Sequence, residues 1–249
     1  MFNKKKSSAK NRNNKNQQSV NVDAVNFLIR ESYKTARTNI DYSIIKKGCK
    51  KIIFTSSAKG EGKTLTAVNI ASALAQQVDT KVVLVETDLR RPHVHLALGL
   101  APSPGLTNYL NMECEMQDII KTSHVENLSA ICYGAVPPNP SELLSSENMT
   151  ELIKKLERDF DYIIFDSPPV AVVIDAVPII KQSDGVVLVV KNNSTTYPQL
   201  NKTIDIVKRS GGKPLGVIIN RVRPEDTRKG KRYGYGYGYG YGYGYGYGY

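Results

Sequence analysis

The octapeptide Ser57-Ala58-Lys59-Gly60-Glu61-Gly62-Lys63-Thr64 is composed for one task, the cradling of a polyphosphate. Gly60 and Gly62 allow successive backbone N–H groups to turn inward around phosphate oxygens. Lys63 has the reach to set its charge against β- and γ-phosphates, and the Thr64 hydroxyl is a ligand for Mg²⁺. Ser57 stands where the strict pattern has its first glycine. The loop follows the apolar run KIIFT (51–55) and precedes an Ala-rich helical pattern (63–77). It therefore joins a strand end to a helix N-terminus, whose positive dipole end faces the same anion. That context separates a phosphate loop from a Gly-rich turn that binds nothing.

Three carboxylates fall where such a loop would use them. Asp166 closes YIIFD (162–166), and Pro168-Pro169 behind it force a sharp exit. A carboxylate there stands beside Thr64 and can hold Mg²⁺ through its water. Glu86 and Asp88 follow VVLV (82–85), ahead of Arg90 and Arg91. Spaced two residues apart, they point the same way if the backbone stays extended. One could then serve Mg²⁺ and the other act as base toward a hydroxyl. The competing reading pairs them with the two arginines. His93, His95 and His124 have no metal-ligand spacing, and the separated Cys49, Cys114 and Cys132 read as reduced thiols.

These residues need a sheet to place them. Short apolar runs at 51–55, 81–86, 162–166, 185–191 and 215–220, with 128–132 as a weaker sixth, alternate with helical patterns at 63–77, 140–160, 176–182 and 197–210. Residues 92–112 are loop and short helix. The alternation predicts an α/β, doubly wound, mostly parallel sheet. Before it, Val22, Val25, Leu28, Ile29, Tyr33, Ala36, Ile40 and Ile44 recur at helical spacing. They mark an amphipathic helix over 22–45 that covers the sheet or packs on a neighbouring subunit.

The net charge of +11 is uneven. Lys4, Lys5, Lys6, Lys10, Arg12 and Lys15 supply six of those charges in a stretch with no acid, and Arg228, Lys229, Lys231 and Arg232 form a second cluster. Such ends are either solvated basic tails or attractors for an anionic membrane face or nucleic acid. No run reaches the roughly 20 apolar residues of a membrane span, and the basic, Asn-rich start is not a secretion signal. Residues 233–249 alternate Tyr and Gly and hold nine of the chain's 15 tyrosines. The organisation expected is a basic tail over 1–21, a nucleotide-binding domain over 22–230 and a Tyr-Gly tail over 231–249.

SSAKGEGKT (56–64), VLVETDLRRP (83–92) and IIFDSPP (163–169) resemble the Walker A, A′ and B motifs of the bacterial tyrosine kinases, the BY-kinase family, in its separate cytoplasmic form. Glu86 occupies a position where that family has Asp. The Tyr-rich end and the basic run before it are also similar. ESYKTARTN (31–39) resembles the family's ring-forming ExxRxxR helix, with Glu31, Lys34 and Arg37 in the three places. The resemblance implies a P-loop fold of the MinD/ParA type and ATP with Mg²⁺ held by Ser57–Thr64. It implies catalytic roles for Lys63, Glu86, Asp88 and Asp166, with Thr64, Asp88 and Asp166 at the metal.

It further implies phosphorylation of Tyr233, Tyr235, Tyr237, Tyr239, Tyr241, Tyr243, Tyr245, Tyr247 and Tyr249 in a neighbour's site within a ring. A membrane activator protein would recruit the kinase to the inner face of the cell membrane, in capsular or extracellular polysaccharide synthesis, with no nucleic acid involved. Asn220 is either the adenine-reading Asn of related P-loop ATPases or a turn residue. Two other classes compete. A MinD/ParA switch ATPase would carry its signature Lys at 58, where this chain has Ala58. A scaffold with a sticky tail would leave the phosphate loop idle.

Overall fold

The computed structural model describes residues 27–222. The basic tail, the first turns of the expected N-terminal helix, the 228–232 cluster and the Tyr-Gly run lie outside the described residues. Helix α1 covers 27–43. Then follow β1 (Lys50–Ser56), α2 (Lys63–Ala75), β2 (Val82–Glu86), α3 (Val94–Leu98), α4 (Leu106–Leu110), α5 (Met116–Ile119), β3 (Ile120–Thr122) and β4 (Leu128–Ile131). The second half holds α6 (Pro140–Leu144), α7 (Glu147–Asp159), β5 (Tyr162–Asp166), a 3₁₀ turn (Ile174–Ala176), α8 (Val177–Gln182), β6 (Gly185–Lys191), α9 (Tyr197–Arg209) and β7 (Pro214–Asn220).

The strands form one seven-stranded sheet in the order β3-β4-β2-β5-β1-β6-β7. All pairs are parallel except the β3–β4 edge pair, as the expected doubly wound fold requires. Continuous Val/Ile runs are what a sheet buried on both faces demands. Successive residues of β1 serve opposite layers: Ile53 belongs to the core with α7, α8 and α9. Ile52 and Phe54 belong to the core with α1 and α2. All three are fully buried, and each such side chain contributes roughly 1.5–3 kcal/mol by leaving water. Helix α2 is buried on nearly every side; Ala67, Ala71 and Ala75 let it lie close between the sheet and α1.

One expectation changes, and one strand appears that the sequence did not announce. The single helix expected over 140–160 breaks at Ser145-Ser146, because Ser146 is extended and its hydroxyl accepts the Met149 N–H at 3.2 Å, capping α7. The edge strand β3 is too short, at three residues, to show alternation in the sequence. At the carboxyl ends, β2 and β5 finish in register with Glu86 opposite Asp166. β1 runs between β5 and β6, so the phosphate loop emerges between the Asp166 side and the Asn220 side of the sheet.

Candidate functional site

The loop from β1 to α2 turns at Gly60 (φ 76°) and Gly62 (φ 90°), both in left-handed backbone. Gly62 caps α2, and a Cβ on it would stand 2.0 Å from Asn220 Nδ2. Three struts fix the loop. Glu61 is buried; one carboxylate oxygen accepts the Ala58 N–H at 2.8 Å and the other accepts the Thr195 hydroxyl. Ser57 Oγ lies 2.8 Å from Thr203 Oγ1 on α9, so the hydroxyl in the first-glycine place ties the loop to a helix. Asn220 Nδ2 donates to the Glu61 carbonyl at 3.0 Å. Asn220 thus braces the phosphate loop here, and its Oδ1 accepts the Arg221 N–H.

Lys63, Thr64, Asp88 and Asp166 converge above the sheet. Lys63 Nζ is 2.9 Å from Asp88 Oδ2 and 3.3 Å from Asp166 Oδ1. The Thr64 hydroxyl donates to Asp166 Oδ2 at 2.7 Å. Burial lowers the Lys63 pKa, but the Asp166 and Asp88 carboxylates outweigh it and hold it above the usual lysine range. Burial pushes the Asp166 carboxyl up, and Lys63 opposes that shift. Asp166 Oδ1 is buried with no hydrogen bond, its Lys63 contact being an ion pair without hydrogen-bond geometry. The loop behind Asp166 is fixed to β1: Thr55 Oγ1 donates to the Pro168 carbonyl, and the Ser167 N–H donates to the Phe54 carbonyl.

The residues present fit a Mg²⁺-bound nucleotide. A hydroxyl and a buried carboxylate oxygen that has no hydrogen bond lie together at the foot of a phosphate cradle. No three His, Cys, Asp or Glu side chains converge on a metal-sized site among the described residues. That suits a cation held by one or two protein ligands and otherwise by phosphates and water.

Glu86 does not join this group. The extended backbone needed to aim it with Asp88 ends at Glu86, since Thr87 and Asp88 both donate their N–H to the Asp166 carbonyl. Its side chain is fully buried and accepts the N–H groups of His93, Val94 (2.6 Å) and Tyr133 (3.2 Å). It caps α3 and clamps the exit of β4. Burial pushes its pKa up to about 7 against those three donors. The carboxylates do not pair with the arginines in the way the sequence allowed. Arg90 forms a two-point ion pair with buried Asp175, and all that Asp88 accepts from either arginine is the Arg91 backbone N–H, at 3.2 Å. Asp175, Thr195 and Thr203 carried no motif signal and were missed.

Of the expected ring residues, Glu31 and Lys34 pair on the exposed face of α1 at 2.7 Å. Arg37 turns inward and donates to the Ala73 carbonyl at 3.2 Å, in the last turn of α2. The phosphoacceptor tyrosines lie outside the described residues. No helix among the described residues is long and apolar enough to cross a membrane. Cys49, Cys114 and Cys132 are free.

Fold and site together define a P-loop nucleotide-binding protein with acids at adjacent strand ends. Residues 49–215 match the family model described as an AAA domain. The tyrosine-protein kinase YwqD of Bacillus subtilis (strain 168) is 39% identical over 190 residues, 76% of this chain and 80% of that one. The kinase domain of the Escherichia coli tyrosine kinase ETK superposes with a TM-score of 0.73 at 26% identity, covering 84% of this chain and 80% of the other. The septum site-determining protein MinD of Pyrococcus horikoshii, complexed with Mg-ADP, is more distant, with a TM-score of 0.59 at 25% identity over 73% of this chain and 76% of that one. The chain belongs to the bacterial tyrosine-protein kinase family, a P-loop branch whose fold it shares with MinD.

Proposed function

We propose that the chain transfers the γ-phosphoryl group of ATP to tyrosine hydroxyls in the 233–249 tail of a neighbouring copy. The convergence of Lys63, Thr64, Asp88 and Asp166 carries this reading. Lys63 leaves its carboxylate partners for the β- and γ-phosphate oxygens, and the backbone N–H groups of 59–64 hold the same anion. Thr64 and Asp166 would hold Mg²⁺, which neutralises charge on the phosphates. Asp88, released by Lys63, orients the tyrosine hydroxyl and takes its proton. The tyrosine oxygen bonds to the γ-phosphorus, the bond to the β–γ bridging oxygen breaks, and its electron pair leaves with ADP. Glu86, saturated by backbone donors, is left out of this step, so the base is Asp88. Asn220 acts on the phosphate loop, consistent with its Glu61 contact.

The rest of the reading follows the family. Residues 22–230 form the kinase domain between the 1–21 and 231–249 tails, and copies assemble in a ring through the 31–37 stretch of α1, in which Glu31 and Lys34 pair on the exposed face and Arg37 braces the end of α2. A membrane partner with a cytoplasmic end activates the kinase and holds it at the inner membrane face, in control of capsular or extracellular polysaccharide synthesis. Each phosphate adds about −1.5 to −2 charge, so a phosphorylated set of tails repels itself and opens the ring.

The test is phosphotyrosine mass spectrometry on purified protein with ATP and Mg²⁺, with and without the partner's cytoplasmic end. Phosphate on the tail that Lys63→Met reduces by at least about 10³-fold is expected. ATP hydrolysis with a clean tail in both conditions would replace this reading with a switch ATPase.

A further inference from the structure

The cleft beside the phosphate loop has a volume of about 570 Å³, and its lining is of two kinds. Lys63, Thr64 and Asp88 bring charge and a hydroxyl to it. Leu65 at the start of α2, Leu96 and Ala97 on α3, and Pro169 bring apolar surface to the same cleft. Leu65 is 58% exposed and Leu96 69% exposed, while the other large apolar residues of α3, Val94 and Leu98, are buried. Two open leucines on adjacent helices therefore put apolar surface next to the charged residues of phosphoryl transfer. The fold itself does not use them.

We propose that Leu65 and Leu96 seat the ring of the acceptor tyrosine, and that the occupant is the Tyr-Gly segment 233–249 of a second copy of this chain. The inference rests on the kinase reading above and names the acceptor subsite of that same site. Strand order fixes the side from which the acceptor arrives. Asp88, Leu96 and Ala97 follow β2, on one flank of β1, whereas Asn220 ends β7 on the other. The acceptor hydroxyl must meet Asp88, so the ring behind that hydroxyl lies on the α3 flank.

The sequence of the occupant suits such a seat. In extended backbone, side chains alternate between faces, so strict Tyr-Gly alternation puts every tyrosine on one face and only hydrogen on the other. A shift of two residues presents an identical acceptor, and any of the nine tyrosines can take the same place. A tyrosine side chain offers about 150–250 Å² for burial, which the charged lining residues alone would not match.

The test uses full-length chains. The donor is the unsubstituted chain, Leu65→Ala, Leu96→Ala or the double variant; the acceptor is full-length Lys63→Met, distinguished by mass. Both leucines are exposed, so truncation leaves the core intact. The KM for acceptor should rise about tenfold for each variant, with the KM for ATP within about twofold, and Leu96→Met should restore most of the loss. An unchanged acceptor KM in all variants overturns the seat and leaves the kinase reading standing. A KM for ATP that rises in step with that for acceptor also overturns it, giving the leucines to the nucleotide base. With the partner's cytoplasmic end present in every reaction, no transfer by the unsubstituted donor overturns the kinase reading and the seat together.

Discussion

Glu86 and Asp166 end neighbouring strands in register, and both are fully buried. Their surroundings differ in one respect. Glu86 accepts three backbone N–H groups from two separate segments, α3 and the exit of β4. Asp166 accepts one hydroxyl and keeps an oxygen with no hydrogen bond. A buried carboxylate whose acceptor capacity is met by the backbone belongs to the scaffold. One left open beside a lysine and a hydroxyl is held ready for something that arrives. The pair shows why position at a strand end is not sufficient to assign chemistry: the donors around each carboxylate decide.

Asp166→Asn should give the largest contrast. The amide retains an acceptor for Thr64 but loses the charge that holds a cation. Tail phosphorylation should fall about 10²–10³-fold, while unfolding free energy without nucleotide stays within about 1 kcal/mol, because the charge removed is one that burial disfavours and Lys63 keeps Asp88 as its partner. Rates by quantitative phosphotyrosine mass spectrometry and stability by urea titration check the two halves. A large stability loss with little rate loss would place Asp166 with the scaffold.

Glu86→Ala should do the reverse. Three backbone donors lose their acceptor, at a cost of about 2–4 kcal/mol in urea titration. Below the melting transition the surviving folded protein should lose less than about tenfold in rate. A collapse of rate equal to that of Asp88→Asn, without destabilisation, would return the base role to Glu86.

Much of this was legible in the sequence. Val/Ile runs long enough to cross a two-faced sheet located its parallel strands, and the Gly60, Gly62, Lys63 and Thr64 spacing located the phosphate loop between strand and helix. What escaped were facts that arise only in three dimensions. No local signal says that Thr87 and Asp88 both bond the Asp166 carbonyl, yet that turn separates Glu86 from Asp88. Asn220 meets the Glu61 carbonyl across 159 residues of chain. Arg37 shares helical spacing with Glu31 and Lys34, but the end of α2 lies within its reach and takes its guanidinium. Spacing along one element predicts which side chains share a face. It does not predict which foreign backbone group will claim one of them.

The same strands allow a weaker contrast between their two ends. At the amino ends of β1 and β5, Asp41 of α1 pairs with Lys50 and accepts the Tyr162 hydroxyl at 2.6 Å. Burial raises the Asp41 pKa, but the Lys50 and Tyr162 hydrogen bonds outweigh it and bring it below its ordinary 3.8. Burial pushes the Tyr162 hydroxyl up, which keeps it a donor. Ligands of such sheets bind at the carboxyl ends of the strands, so this cluster is expected to hold α1 and nothing more. A carboxylate with a depressed folded pKa stabilises above its unfolded pKa and loses that stabilisation as pH falls through the folded one. Asp41→Asn should therefore cost about 1 kcal/mol near pH 7, a figure kept small because the carboxylate is partly open to solvent. The difference should shrink as pH falls below the unfolded carboxylate range of about 4 and be lost as pH falls through the lowered folded pKa. Thermal melts of both proteins across that range check the sign. A gap that stays constant with pH would mean that the carboxylate's charge contributes nothing and that Asp41 holds α1 to the sheet through its hydrogen bonds alone.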